Sequence, residues 1–344
     1  MNTALQLWDG ELSVITTPPP RVASPLEIVI KVAFTGVSAL DLLVLSGKFP
    51  CPKSLILGHE FSGVVTEIGS EVKRCSVGER VVVNPHSKSD SFKAQAHLCF
   101  TNEISKSIGL GCNGGWAHYC RVPAALAHPI PTQITLEVAA LAEPISCILH
   151  ALDCIGNVYT DADILICGTG IIGLLFASIF HYRGYRRVTL TEISEQRRAL
   201  ASGLKLGFNI VHPDSLEVLY KRSIIKNTST WGFDLIIDCT GMDAAIEQSF
   251  KWLRFGATFC IFGICLQESE VKISPYDILM KEIKVVGSIL NSLTFPRSIQ
   301  LIEDMGKDYL SYEKLGIKVY KLQDYAEAFS SLKSGKIAKA MFAI

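Results

Sequence analysis

The feature that most constrains this fold is a glycine-rich turn set between an apolar run and a helix-like stretch. Gly168-Thr169-Gly170-Ile171-Ile172-Gly173 follows the run 164–167 and opens the stretch 172–182. In this setting the first glycine makes a tight turn, the second lets the backbone approach a pyrophosphate, and the third allows close helix packing. The pattern predicts an α/β domain that binds a dinucleotide through Gly168, Gly170, Ile171, Ile172 and Gly173.

An acidic residue lies where such a domain selects its cofactor. The apolar run 187–191 ends at Glu192, 19 residues beyond Gly173. A carboxylate there accepts hydrogen bonds from the adenosine ribose and repels a 2'-phosphate. We therefore predict that NAD is preferred. NADP stays open because the guanidinium groups of Arg197 and Arg198 can pair with a 2'-phosphate, and a glycine turn without any ligand is the structural alternative.

The pattern of short apolar runs changes along the chain. Before about residue 145, runs such as 27–35, 61–68 and 80–84 are typical of antiparallel strands. The next part alternates short runs with helical stretches, as in a doubly wound parallel sheet; the runs are 164–167, 187–191, 233–238 and 258–262. The 344 residues also exceed what one core usually holds. We predict domains at 1–145 and 146–285, and a C-terminal segment, 286–344, that ends in a strand.

Charge and cysteine content exclude several classes of protein. The 33 basic and 33 acidic residues cancel, which disfavours nucleic acid or an anionic membrane as a partner. Residues 164–180 are uncharged, but the glycine turn within them argues against a membrane span. The first residues do not resemble a signal peptide, and an odd number of cysteines, 11, does not suggest a disulfide framework. We expect a cytoplasmic protein.

Two short motifs carry possible metal ligands. Gly58-His59-Glu60 places an imidazole beside a carboxylate, and Ala142-Glu143-Pro144 adds a second carboxylate. These side chains are typical zinc ligands. Taken singly, His59 would more often be a structural histidine, and the two acids would more often be solvated.

The chain resembles the zinc-type medium-chain alcohol and polyol dehydrogenases over nearly all of its length, most closely the sorbitol and D-arabinitol dehydrogenase branch. The resemblance rests on the ligand and glycine motifs and on further segments: 36–41, 77–81, 114–119, 238–241, 281–283 and 287–288. It implies a GroES-like β-barrel catalytic domain split around a Rossmann domain, so that the segment 286–344 returns to the catalytic domain, with zinc in the cleft between the two domains. In that family zinc polarises an alcohol, and hydride passes to the nicotinamide.

The same resemblance assigns roles to single residues and exposes departures. It implies zinc ligands at His59, Glu60 and Glu143, and Asp41 as the carboxylate that orients His59. Ser38 stands where the family usually has a cysteine ligand. Leu40 and Leu43 stand where it usually has residues that pass the proton outward.

The resemblance also places residues around the cofactor and between subunits. It implies that Thr240 and Ser288 lie on the nicotinamide side and that Lys339 lies near the pyrophosphate. It implies a homo-oligomer formed by pairing of sheet edges. The apolar run 258–265 is a candidate interface strand, although a buried strand has the same pattern.

We expect no structural zinc. In the family that ion is bound by a lobe with four cysteines, and the corresponding positions here are Ser89, Phe92, Gln95 and Cys99. A lone thiolate cannot form a closed tetrahedral site.

The leading hypothesis is an NAD-dependent oxidoreductase for a secondary alcohol or polyol. One zinc ion would be held loosely by His59, Glu60 and Glu143, with Ser38 or water completing the site. Two alternatives are a zinc-free reductase of the same fold and a catalytically silent dinucleotide-binding protein.

Overall fold

The computed structural model describes residues 1–86, 106–225 and 231–344. The predicted absence of a structural zinc falls on Ser89, Phe92, Gln95 and Cys99, which lie outside the described residues, and stays a prediction.

The two ends of the chain build two sheets. The small sheet is antiparallel, and the larger sheet is mixed. The small sheet has the order β2-β1-β4, with β1 (Asn2–Trp8), β2 (Glu11–Thr17) and β4 (Ser54–Ile56). Within the described residues, the larger sheet has seven strands: β3 (Glu27–Gly36), β5 (Phe61–Ile68), β6 (Arg80–Val83), β7 (Tyr119–Pro123), β8 (Ala127–Pro129), β15 (Ile317–Lys321) and β16 (Lys339–Ala343). Because β16 pairs with β3, the end of the chain returns to the sheet formed near its start.

The middle of the chain forms the predicted parallel sheet. Its strands, in the part that the structure describes, are β9 (Ile164–Cys167), β10 (Val188–Thr191), β11 (Asn209–Val211), β12 (Phe233–Asp238), β13 (Leu253–Ile261) and β14 (Lys284–Gly287). Alternate residues of β9 point to opposite faces, since Ile164 and Ile166 lie in one apolar cluster and Leu165 and Cys167 in another. Both faces are therefore buried, as expected of a parallel sheet.

Helices cover this sheet and connect its strands. The α-helices in the described ranges are α1 (Ala39–Leu45), α2 (Leu136–Ala139), α3 (Ala142–Ile155), α4 (Ile171–Tyr182), α5 (Glu195–Gly203), α6 (Pro213–Ile225), α7 (Asp243–Phe250), α8 (Pro275–Lys281), α9 (Phe295–Leu310) and α10 (Tyr325–Lys333). The uncharged run 164–180 is divided between β9, the glycine turn and α4. None of the described helices has the length and apolar character that crossing a membrane requires.

The strand order fixes where a ligand can bind. The sheet order is β11-β10-β9-β12-β13-β14, so the chain moves from β9 to one edge and then restarts at β12 on the other side. Ligands of open α/β sheets bind at the carboxyl ends of the strands flanking such a switch point. Here those ends are Cys167 and Asp238, which are paired neighbours.

The run 258–265 is compatible with a strand between subunits or with a buried strand, and the structure fits the second. In the described sheet β13 lies between β12 and β14 and pairs with both. Its apolar residues are there because the strand is internal, and the edge strand is β14.

Candidate metal and cofactor site

The glycine turn has the geometry that a pyrophosphate requires. Gly168 has φ +94°, and a Cβ atom on Gly173 would collide with the carbonyl oxygen of Gly168, so α4 packs tightly on the turn. A Cβ atom on Gly170 would meet no atom within 4 Å. This open space lies at the start of α4, where the free backbone N–H groups of Ile171 and Ile172 favour an anion. The local geometry fits a bound dinucleotide.

Glu192 is buried and already holds the turn together. Its Oε2 atom accepts hydrogen bonds from the backbone N–H and the hydroxyl of Thr169 at 3.1 and 3.3 Å, and its Oε1 atom accepts one from the N–H of Ser194 at 3.0 Å. A carboxylate can accept further bonds, so a ribose hydroxyl remains compatible. The two neighbouring arginines differ: Arg197 lies against Gly335, and Arg198 donates to the carbonyl oxygens of residues 192 and 193.

The other residues expected near the cofactor follow strands of the parallel sheet. Thr240 follows β12, donates to Asp238 through its hydroxyl at 2.6 Å, and lies against Gly168. Ser288 follows β14, and its N–H donates to the carbonyl oxygen of Ile261 at 3.2 Å. Their proposed contact with the nicotinamide stays a prediction.

Three expected metal ligands come together from the residues just before β5 and from α3. His59, Glu60 and Glu143 each offer a donor atom within 4.8 Å of the others, and all three side chains are buried. His59 and Glu60 immediately precede β5, and Glu143 lies in the first turn of α3. One imidazole and two carboxylates, all buried with donor atoms this close, form a donor set that suits zinc. These residues therefore fit the ion that the sequence predicts.

Asp41 connects Ser38 to His59. The Oδ2 atom of Asp41 accepts from the N–H of Ser38 at 2.8 Å, and Ser38 Oγ accepts from the N–H of Asp41 at 3.1 Å, so the pair forms a capping box at α1. The Oδ1 atom of Asp41 lies 3.4 Å from Nδ1 of His59. Burial disfavours a charged imidazole, but neighbouring carboxylates, with Asp41 the strongest, outweigh it and raise the pKa of His59 to about 9.

Lys339 is found at the metal group rather than on the glycine turn. Its ammonium forms an ion pair with Glu60 and donates to the carbonyl oxygen of Val37 at 3.1 Å. A Cβ atom on Gly36 would collide with the Glu60 carboxylate, so the glycine makes room for the pair. Burial raises the pKa of Glu60, although the charge of Lys339 opposes that rise. The expected contact of Lys339 with a pyrophosphate stays a prediction.

Two residues that the sequence did not single out contact Glu143. Cys147 Sγ donates to Glu143 Oε1 at 3.3 Å, and Nε2 of the buried His86 lies 3.8 Å from the same oxygen. Burial opposes ionisation of Glu143, but the proximity of His86 and the charge of His59 outweigh it and lower its pKa. The four-residue helical spacing of Glu143 and Cys147 was a usable signal. No local pattern pointed to His86.

The positions of the usual proton relay are apolar here. Leu40 is buried in a small cluster with Leu110 and Phe49, and Leu43 is half-buried on α1. A leucine side chain has no donor or acceptor, so it cannot pass a proton.

Comparison with known proteins agrees with this geometry. Residues 24–132 match the alcohol dehydrogenase GroES-like domain, and residues 171–304 match the zinc-binding dehydrogenase family. The chain belongs to the zinc-type medium-chain dehydrogenases. D-arabinitol dehydrogenase 1 of Uromyces fabae is 29% identical over 330 residues, which cover 96% of this chain and 93% of that protein. (R,R)-butanediol dehydrogenase of Saccharomyces cerevisiae is 30% identical over 309 residues, 79% of this medium-chain dehydrogenase and 78% of the yeast protein.

Solved structures of dehydrogenases also match this chain over its whole length. The 2R,3R-butanediol dehydrogenase of Bacillus subtilis has a TM-score of 0.85 and 26% identity, with all of both chains covered. A zinc-binding dehydrogenase of Sinorhizobium meliloti 1021, bound to NADP, has a TM-score of 0.86 and 27% identity, covering 100% of this medium-chain dehydrogenase and 99% of that chain. The predicted fold, a GroES-like domain with a Rossmann sheet, is confirmed. The chain is an oxidoreductase of the alcohol and polyol dehydrogenase type, with NAD and zinc as cofactors.

Proposed function

We propose that this enzyme oxidises a secondary hydroxyl group of a polyol or vicinal diol and transfers hydride to NAD, with zinc held by His59, Glu60 and Glu143. The observation that carries the proposal is the buried group of three donors within 4.8 Å of one another. The relatives support the substrate class, since they act on D-arabinitol and butanediol.

Each residue of the site has a distinct task in this proposal. When bound, zinc polarises the substrate hydroxyl and favours loss of its proton. Asp41 fixes the ring of His59, and Lys339 holds Glu60 in place. The start of α4 would hold the pyrophosphate of the dinucleotide, and the nicotinamide would then lie towards the carboxyl ends of β9 and β12.

Ser38 makes the metal site weaker than a site with a thiolate. A serine hydroxyl is neutral and harder than a thiolate, and in this structure its oxygen already accepts a hydrogen bond from Asp41. Ser38 or water would complete the coordination, and zinc would be held loosely. Leu40 and Leu43 cannot carry a proton, so water would have to take it from the site.

Metal analysis and a substrate panel test this function. Protein purified without chelator should contain zinc and oxidise polyols or secondary alcohols with NAD. Ser38→Cys should raise zinc occupancy, and His59→Ala should abolish both zinc and activity. His150→Ala is the matched control, because His150 is half-buried on α3 and its described side-chain contact is with Cys154.

The alternatives give different results in the same experiment. Zinc-free protein that reduces an activated double bond would indicate the zinc-free reductase. Zinc-free protein that binds NAD, and in which Ser38→Cys gains neither zinc nor activity, would indicate the silent dinucleotide-binding protein.

NAD is the preferred cofactor in this proposal, since the buried carboxylate of Glu192 faces the turn where a 2'-phosphate would add negative charge. Tighter binding of NADP than of NAD in calorimetry would contradict it. The cytoplasm stays the proposed location.

We also propose a homo-oligomer that pairs through β14. This strand forms an edge of the parallel sheet, and large exposed apolar side chains lie on it and on nearby segments: Phe255, Tyr276, Leu279, Val285, Ile289 and Leu293. Edge strands and exposed apolar patches of this kind are usually covered by a partner. A second copy is the partner that sheet pairing favours. Light scattering should give a multiple of the 37.7 kDa chain, and a strictly monomeric mass would contradict this.

A further inference from the structure

The charge around the metal group is unevenly shared. Glu60 is paired with the buried ammonium of Lys339, which offsets its negative charge. In the described ranges no lysine or arginine forms an ion pair with Glu143, whose side chain lies against Cys147 and His86. Since Ser38 brings no thiolate, the carboxylate of Glu143 is the ligand that must balance the cation.

Two side chains converge on one oxygen of that carboxylate. Cys147, one helical turn after Glu143 on α3, donates through Sγ to Oε1 at 3.3 Å. His86 Nε2 lies 3.8 Å from the same Oε1 atom. The position of Glu143 in the first turn of α3 adds the favourable field of a helix N-terminus.

His86 is itself anchored for this task. Its Nδ1 atom is 2.9 Å from Ser107 Oγ, and its backbone N–H donates to Asn84 at 3.3 Å. When Ser107 donates its hydroxyl to Nδ1, the proton of the neutral ring is on Nε2, which then faces Glu143 as a donor. Nε2 is buried and has no hydrogen-bond partner in the described part of the chain. A buried donor without a partner is unfavourable, and a shift of less than 1 Å would bring it within about 3 Å of Glu143 Oε1, a normal hydrogen-bond length.

We propose that His86 and Cys147 are positioning residues that hold Glu143 as the permanent anionic ligand of the metal, in place of the thiolate that Ser38 lacks. The inference rests on the proposed function, since it assigns the coordination of the same site. It predicts that zinc affinity depends on two side chains that do not touch the metal.

Zinc affinity, measured by competition with a chromogenic chelator, tests this directly. His86→Ala should lower zinc affinity about ten-fold or more, as loss of a partner that orients a ligand usually does. His86→Gln should recover most of the affinity, because the glutamine amide places an N–H near the position of Nε2. Cys147→Ala should also weaken binding, and it keeps the test available if His86→Ala does not fold. The matched controls are His150→Ala and Cys154→Ala, two half-buried residues on α3 away from Glu143, which should bind zinc as the wild type does.

Two further readouts separate positioning from a merely structural role. The visible absorption of the Co²⁺-substituted protein, which reports coordination geometry, should change in His86→Ala and return in His86→Gln. NADH binding should stay within about two-fold in both variants. An unchanged Co²⁺ spectrum in His86→Ala, or loss of NADH binding in parallel with zinc, would overturn the proposal.

The double variant gives the sharpest result. In a Ser38→Cys background the thiolate supplies the missing anion, so His86→Ala should weaken zinc binding much less than it does with Ser38 present. An equal loss in both backgrounds would overturn the inference. If the wild type, His86→Ala and Cys147→Ala all bind zinc equally well, this inference fails but the proposed function stands. Absence of zinc binding by the wild type would instead overturn the proposed function.

Discussion

The ammonium of Lys339 forms an ion pair with the carboxylate of Glu60, and only 1% and 4% of these two side chains is exposed. Lys339 opens the last strand, β16, whereas Glu60 immediately precedes β5. The pair joins the end of the chain to the metal group. A cation at this group therefore enters a site where one carboxylate is already neutralised.

Removing the ammonium should destabilise the metal-free protein. In Lys339→Met, Glu60 would be left buried without its cation, and breaking a buried pair in this way usually costs about 3–5 kcal/mol. Denaturant unfolding should show this loss in chelator and a smaller loss in zinc, because the metal replaces the missing positive charge. Lys318→Met is the control, since Lys318 pairs with Glu327 in solvent. Equal stability of Lys339→Met and wild type would contradict the prediction.

Asp41→Asn should weaken zinc binding by about 10- to 100-fold, because the charge that orients His59 is lost. The asparagine oxygen can still accept from the N–H of Ser38, so α1 should remain capped. Asp277→Asn is a close control: the N–H of Asp277 donates to Ser274 at the start of α8, in the same spacing as Asp41 and Ser38. Competition with a chelator measures the zinc affinity of both variants. A similar effect in the two variants would mean that helix capping, not orientation of His59, matters.

Zinc binding should release a proton at neutral pH. The pKa of His59 is raised to about 9 in the metal-free protein, so its ring is protonated at pH 7, whereas a zinc ligand must be neutral. Affinity should therefore rise with pH until about pH 9. The stability of the metal-free protein should change in the opposite direction. The protonated ring of His59 stabilises it fully below about pH 6.5, and this contribution is lost as the pH rises through 9. Calorimetry in two buffers of different ionisation enthalpy measures the proton count, and a count of zero at pH 7 would contradict the pKa of His59.

Glu192→Gln should narrow the preference for NAD over NADP by about five-fold or more, since a unit charge a few ångströms from another contributes about 1 kcal/mol even in bulk water. Glutamine is a better test than alanine because its oxygen can still accept a bond from Thr169 or Ser194. Dissociation constants of NADH and NADPH give the ratio. Glu195→Gln, an exposed neighbour at the start of α5, should leave the ratio unchanged. An unchanged ratio in Glu192→Gln would remove Glu192 from cofactor selection.

Much of the fold was predictable because its signals are local. The strands 61–68, 164–167 and 233–238 were predicted at the bounds that β5, β9 and β12 have. In each case an apolar run is closed by turn residues, and such patterns depend on near neighbours only. The position of the run 258–265 in the sheet could not be predicted, because an internal strand such as β13 and a strand buried by a partner subunit have the same composition.

The sequence by itself determined the elements with strong local patterns, the glycine turn, and the residue types available for metal and cofactor. These depend on backbone preferences and on spacing within about ten residues, which the order of amino acids specifies directly. Tertiary structure alone decided the partners: Lys339 beside Glu60, and His86 and Cys147 at Glu143. Lys339 and Glu60 are 279 positions apart in the chain. Their contact exists because β16 returns to β3 in the sheet, and the direction of a side chain across such a distance is fixed by packing, which no local pattern records.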